Sequence, residues 1–207
     1  MQTATSGSSD GRAIISGIVA TTDKVQNRLL FEYASEVRRR GMELDTESCL
    51  GAIDHAAHWL THPGYKPWLF LSGNCGTGKT TLLKSILRTL NAFGVPSWMF
   101  PASDFPALFL DNAELTERKL LQGDACRVLL LDDVGVEPRD IKSYGNVLQP
   151  FIRIVESRYN FRLPLVVSTN LSGAEMSTAY GERIMDRITE MSAAIIFDIK
   201  SYRKMQP

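Results

Sequence analysis

Apolar positions recur at every fourth residue through Val25, Leu29, Tyr33 and Val37, which predicts an amphipathic helix over residues 22–40. Thr22 or Asp23 can cap its start and Gly41 ends it. The run Arg38-Arg39-Arg40 falls in the last turn, where cations complement the helix dipole. A second helix is predicted over residues 45–60, with Leu50, Ile53, Ala57 and Leu60 on one side, and His62-Pro63-Gly64 breaks it. From Pro67 onward the pattern changes period. Short apolar runs at 68–72, 97–100, 127–131, 165–168 and 194–197 predict strands. Helices are predicted between them at 80–93, at 103–122 with an interruption at Pro106, at 143–159 and at 181–191. The 143–159 helix rests on Tyr144, Val147, Leu148, Phe151 and Val155 lying on one side, with a kink or restart at Pro150. Five apolar strands separated by helices predict an α/β protein, a five-stranded parallel sheet covered on both faces.

The chain has 207 residues, suited to one domain plus a short extension. We expect a flexible Ser/Thr/Gly-rich tail over 1–12, a helical extension over 13–44 and the main domain over 45–207. Apolar residues are 44% and charged residues 22%, which excludes wholesale disorder. Twenty-three Lys and Arg balance 23 Asp and Glu, so a broadly basic nucleic-acid binder is not expected, although a local basic face is allowed. Cys49, Cys75 and Cys126 are too few and too scattered for a disulfide framework and fit a reducing cytoplasm. There is neither an 18-residue apolar run nor a signal-peptide h-region, so no membrane association is expected. His55, His58 and His62 share roughly one helix face, but no cysteine or carboxylate pattern completes a zinc site, and they read as surface or packing residues.

The strongest chemical signal is Gly73-Asn74-Cys75-Gly76-Thr77-Gly78-Lys79-Thr80, a match to G-x-x-x-x-G-K-[ST] between a strand and an amphipathic helix. A turn that wraps a phosphate must aim several backbone N–H groups inward, which needs glycine dihedrals and close backbone approach. The helix that follows offers free N–H groups and a positive dipole end. Gly73 through Thr81 are therefore the candidate ATP-binding residues, with the Lys79 ammonium on the β- and γ-phosphates and the Thr80 hydroxyl on Mg²⁺. Only the backbone of Cys75 is needed.

The run Val128-Leu129-Leu130-Leu131-Asp132-Asp133 is an apolar strand ending in two carboxylates, which are costly there unless a cation or a reaction uses them. Asp132 is assigned to Mg²⁺, directly or through water, and Asp133 to orienting and deprotonating an attacking water. Asn170, after the strand Val166-Val167-Ser168-Thr169, can bond the γ-phosphate or that water, since its amide both donates and accepts. One predicted strand, 97–100, falls between the two acidic and glycine-rich motifs. That spacing suggests an extra strand between them and favours NTP hydrolysis over phosphoryl transfer to a small molecule.

With these motifs in place, residues 45–203 resemble the AAA+ ATPases of the DnaC-type helicase-loader and IstB-type transposition-helper group. The likeness rests on Gly73–Thr80 as Walker A, Leu129–Asp133 as Walker B and Ser168-Thr169-Asn170 as sensor 1. It rests also on Gly181-Glu182-Arg183-Ile184-Met185-Asp186-Arg187 as the arginine-finger helix and on Ser201-Tyr202-Arg203. The resemblance implies that Arg187, with Arg183 as the alternative, reaches a nucleotide on a neighbouring subunit, and that Arg203 is the sensor 2 arginine. A permanently charged guanidinium suits the charge that spreads over a departing phosphoryl group. The resemblance further implies ATP-dependent self-association, single-stranded DNA as ligand and a replicative helicase as client, with a transposase as the alternative. Candidate DNA contacts are Arg153, Arg158, Arg162, Tyr159 and Phe161. One departure from the group is expected: in place of a separate helicase-gripping domain, either residues 22–40 form a reduced docking element or the partner differs. Like loaders of this type, the chain is expected to lack the C-terminal helical lid of typical AAA+ modules.

Overall fold

The computed structural model describes residue 18, residues 20–62 and 66–111, residue 116, and residues 127–143 and 146–197. The predicted tail, most of the segment 112–122, Cys126, Tyr144 and the Ser201-Tyr202-Arg203 group lie outside them.

Two helices lead, α1 (Thr22–Arg39) and α2 (Thr46–Thr61). Asp45 caps α2 by accepting from the Ser48 amide, while Thr21 is the N-cap of α1 without a side-chain hydrogen bond, so neither Thr22 nor Asp23 serves there. Gly41 ends α1 at φ 70°, in the left-handed region that glycine accepts. The remaining elements alternate: β1 (Trp68–Gly73), α3 (Lys79–Ala92), β2 (Ser97–Pro101), α4 (Phe105–Asp111) and β3 (Val128–Val134). A hairpin of β4 (Ile141–Ser143) and β5 (Asn146–Leu148) follows, then α5 (Pro150–Asn160), β6 (Leu165–Thr169), α6 (Gly173–Tyr180), α7 (Glu182–Met191) and β7 (Ser192–Phe197).

The five long strands form one parallel sheet in the order β2-β3-β6-β1-β7. Successive side chains leave opposite faces, so each strand feeds two cores. Leu69, Leu71, Val128, Leu130 and Val166 pack with α1, α2 and α3 through Leu29, Tyr33, Ile53, Trp59, Leu82 and Ile86. Trp68, Leu129, Leu131, Leu165 and Val167 pack with α4 to α7 through Phe105, Phe151, Ile154, Met176 and Ile184. The predicted fold class is what the chain adopts.

Three local expectations are corrected and one further helix is found. Residues 143–159 are not one helix: residues up to Leu148 pair as an antiparallel hairpin, Val147 is exposed, and the helix begins at Pro150. Proline has no N–H to give and a φ already set for a first helical turn, so it starts the helix rather than kinking one. For the same reason Pro106 sits in the first turn of α4 without interrupting it. The strand inserted between β1 and β3 is β6, and β2 lies on the outer side of β3. Chain order does not fix strand order in a crossover sheet. Finally, α6 had no apolar stripe to announce it, but Ser172 and Glu175 make a capping box at its start, a signal present in the sequence.

Candidate functional site

The C-terminal ends of β1, β3 and β6 open on one side of the sheet, where the marked residues converge. The loop after β1 turns through Gly73 (φ 141°), Gly76 (φ 80°) and Gly78 (φ 104°), conformations that side-chain-bearing residues avoid. A Cβ on Gly73 would strike the Phe197 carbonyl oxygen, and one on Gly78 the Tyr33 hydroxyl. Lys79 curls back over the loop and donates from Nζ to the Gly73 and Asn74 carbonyl oxygens, both at 2.7 Å. Thr77 Oγ1 donates to the Asn74 carbonyl at 2.9 Å. Lys79 is buried, and burial pushes its ammonium pKa down, opposed by the nearby Cys75, Asp133 and Asp132.

Opposite stands the acidic end of β3. Thr80 Oγ1 donates to Asp132 Oδ1 at 3.1 Å, joining the first turn of α3 to the carboxylate across 52 residues of chain. Ser168 Oγ donates to the same oxygen at 2.6 Å and accepts the Asp133 amide at 2.9 Å. Asn170 Nδ2 reaches Asp133 Oδ1 at 3.4 Å. Asp133 carries φ 54°, which turns its side chain out of the strand's alternation.

These groups surround a cleft of about 170 Å³ lined by Cys75, Gly76, Gly78, Lys79, Thr80, Thr81, Asp133 and Asn170. Its other wall is α1 and the turn after it: Tyr33, Val37, Arg40 and Met42. Sequence reading took Tyr33 and Val37 as core and Arg40 as a dipole partner. A 3.6-residue period marks the buried side of a helix but not which buried residues border a cavity.

A charged cluster fixes that wall. Glu36 of α1 is buried and accepts from Arg88 at 2.8 Å, Arg39 and Arg40 at 3.0 Å and Lys84 at 3.3 Å. Lys84 and Arg88 belong to α3, so the bonds tie α1 to the helix that starts at Lys79. Burial alone would raise the Glu36 pKa; the hydrogen bonds from Arg88, Arg40 and Lys84 outweigh it and hold the carboxyl at about 2.

The donor set fits a nucleotide polyphosphate and Mg²⁺. A buried cation and a glycine loop at a helix N-terminus match a polyphosphate, and the Thr80 hydroxyl beside the Asp132 carboxylate offers the hard oxygen ligands magnesium takes. Among the described residues no group of three or more His, Cys, Asp or Glu has metal-holding geometry, and His58 and His62 stack ring on ring at 3.5 Å.

Arg187 and Arg183 are not part of the cleft. Both bond Glu156 of α5, at 3.1 and 3.0 Å, and Arg187 also lies over the Tyr159 ring at 4.8 Å. Arg183 is 74% exposed at its side chain and Arg187 only 17%. Among the DNA candidates, Arg158 is corrected: it is fully buried and donates to the Arg127 and Pro164 carbonyls at 3.1 and 3.3 Å, pinning the starts of β3 and β6. Phe161 and Arg162 are exposed, and the Tyr159 hydroxyl donates to Glu190 at 2.9 Å.

No protein-family model matches the chain. Over 167 residues, 77% of this chain, it is 32% identical to the replicative helicase loader DnaC of Escherichia coli K12, and it spans 66% of that relative's length. The crystal structure of the DnaC helicase loader superposes with a TM-score of 0.59 at 21% identity, covering 76% of this chain and 94% of that one. The crystal structure of DnaI does so with a TM-score of 0.59 at 24% identity, covering 78% and 88%. At these identities the two structures establish the fold.

Proposed function

Because this chain is homologous to the DnaC-type helicase loaders and has their P-loop AAA+ fold, we propose that it is a magnesium-dependent ATPase that acts on a replicative helicase during DNA replication. The observation that carries this reading is one cleft in which Lys79 and Thr80 face Asp133 and Asn170, with Asp132 bonded to Thr80.

Gly73, Asn74, Cys75, Gly76, Thr77 and Gly78 offer their amides to the phosphates, and Lys79 exchanges its two carbonyl partners for phosphate oxygens. Thr80 and Asp132 would hold Mg²⁺, which would supply positive charge against the charge developing on the phosphates. Asp133 takes the proton of the attacking water while Asn170 orients it. Tyr33, Val37 and Met42 give the nucleotide's base an apolar wall, and Arg203 follows as the sensor 2 group.

Arg187 is the arginine finger for a neighbouring copy, so that turnover depends on ATP-bound homo-oligomers. That α7 stands outside its own chain's cleft supports a role for this group on another subunit's nucleotide. Phe161, Arg162 and Arg153, all exposed, are the single-stranded DNA contacts, stacking and charge acting together. Homology to DnaC favours the helicase over a transposase as client. A cytoplasmic location follows from that role. Among the described residues no helix is long and apolar enough to cross a membrane.

Calorimetry with ATP and Mg²⁺ tests the central claim. Wild type binds, Lys79→Ala does not, and Asp133→Asn binds without turnover. No heat of binding from the wild-type protein refutes the reading.

A further inference from the structure

Strand β3 does not run regularly past its acidic end. Leu131 pairs with Val167 of β6, but the next pair is Val134 with Thr169, and the register shifts between them. Asp132 and Asp133 occupy the resulting bulge. Two residues of β3 thus face one on β6, the two-against-one geometry of a bulge. Asp133 takes φ 54°, a region L-residues avoid and hold only where the surroundings over-determine it.

Two hydroxyls of β6 replace the missing ladder. Ser168 Oγ accepts the Asp133 N–H at 2.9 Å and gives its own proton to Asp132 Oδ1 at 2.6 Å. Thr169 Oγ1 donates to the Val134 carbonyl at 2.6 Å and accepts the Leu171 amide at 3.1 Å. Both residues are completely buried, so no water stands in for a lost hydroxyl. One serine therefore joins the two aspartates through opposite capacities: it satisfies the backbone of one and the side chain of the other.

We propose that Ser168 is a positioning residue for ATP hydrolysis, holding the bulge so that Asp133 faces the cleft beside Asn170 while Asp132 stays turned to Thr80. The proposal rests on the ATPase reading above. Ser168 does not itself line the cleft and acts only through the two aspartates, of which Asp133 does. Alanine there leaves the Asp133 N–H without its acceptor and frees the backbone to relax toward ordinary strand dihedrals, which moves the base.

The test has two arms. In the first, Ser168→Ala lowers kcat by about 10- to 100-fold, the scale on which ångström misplacement of a catalytic group acts. The Kd for ATP with Mg²⁺ stays within about twofold, because the phosphate loop is untouched. Ser168→Thr, which keeps the hydroxyl, restores most of the rate. In the second arm, ligand-free protein is followed by amide hydrogen exchange. The Asp133 amide exchanges at least about tenfold faster in Ser168→Ala, while Leu69 and Val166 amides in the sheet interior keep wild-type protection. Ser168→Cys, closer in size, repeats both arms if the alanine variant does not fold. Wild-type kcat in Ser168→Ala overturns the proposal, as does a fall in kcat matched by an equal fall in ATP affinity or an unchanged Asp133 amide. If the wild type itself hydrolyses nothing, the ATPase reading fails, and the exchange arm still decides the role of Ser168 in the bulge.

Discussion

Replacing Glu36 by glutamine removes the negative centre of a buried cluster and leaves Arg39, Arg40, Lys84 and Arg88 facing one another. The Glu36 carboxyl sits at a pKa of about 2 in the folded protein, against 4.5 for an unperturbed glutamate. At about 1.4 kcal/mol per pH unit, that distance corresponds to about 3 kcal/mol of stability. Because the folded pKa is the lower one, this stability is present in full above pH 4.5 and is lost as the pH falls toward 2. The four cations are 29% to 59% exposed, so solvent and salt screen part of the effect and 3 kcal/mol is its ceiling. Urea unfolding of wild type and Glu36→Gln, followed by circular dichroism at pH 7, 5, 4 and 3, reads the difference directly. At pH 7 the variant is weaker by about 2–3 kcal/mol, or about 4–12 °C in Tm for a chain of this size. The gap narrows as the pH drops below 4.5, and 1 M NaCl narrows it at pH 7. Since the cluster fixes the wall formed by α1, ATP affinity falls as well. Equal stability of the two proteins at pH 7, or a gap that stays constant down to pH 3, refutes the reasoning.

Gly78→Ala places a methyl group against the Tyr33 hydroxyl at a residue with φ 104°. We expect a loss of about 1–3 kcal/mol and no measurable ATP binding; a variant of wild-type Tm that still binds ATP contradicts the assigned loop geometry. Arg187→Ala abolishes turnover with little change in ATP affinity. Activity returns when it is mixed with Asp133→Asn, because each oligomer then joins an intact base in one chain to an intact finger in the next. Mixtures that stay inactive in a steady-state phosphate-release assay rule out a finger acting between subunits.

Much of the candidate site was legible before folding, because a phosphate loop is local. Gly73 to Thr80 are consecutive, their glycines are demanded by backbone dihedrals, and the strand before them and the helix after them were visible in the apolar pattern. The pairing of Thr80 with Asp132 followed from the chemistry both residues share. Less legible was whatever depended on which elements lie side by side. The hairpin of β4 and β5 was misread because its apolar residues mimic a helical period, and only pairing across the turn distinguishes the two. Arg158 read as a candidate DNA contact, but its role was set by two carbonyls that meet there, each just before a strand.

By itself the sequence determined the alternation of strands and helices, the phosphate loop and the two acidic residues, since each follows from residue types at short, fixed spacing. Tertiary structure alone decided that α1 walls the cleft, that β6 lies between β1 and β3, and that Ser168 joins the two aspartates. Those facts depend on contacts between residues tens of positions apart, and such contacts are chosen by packing two cores around one sheet, not by any local preference of the chain.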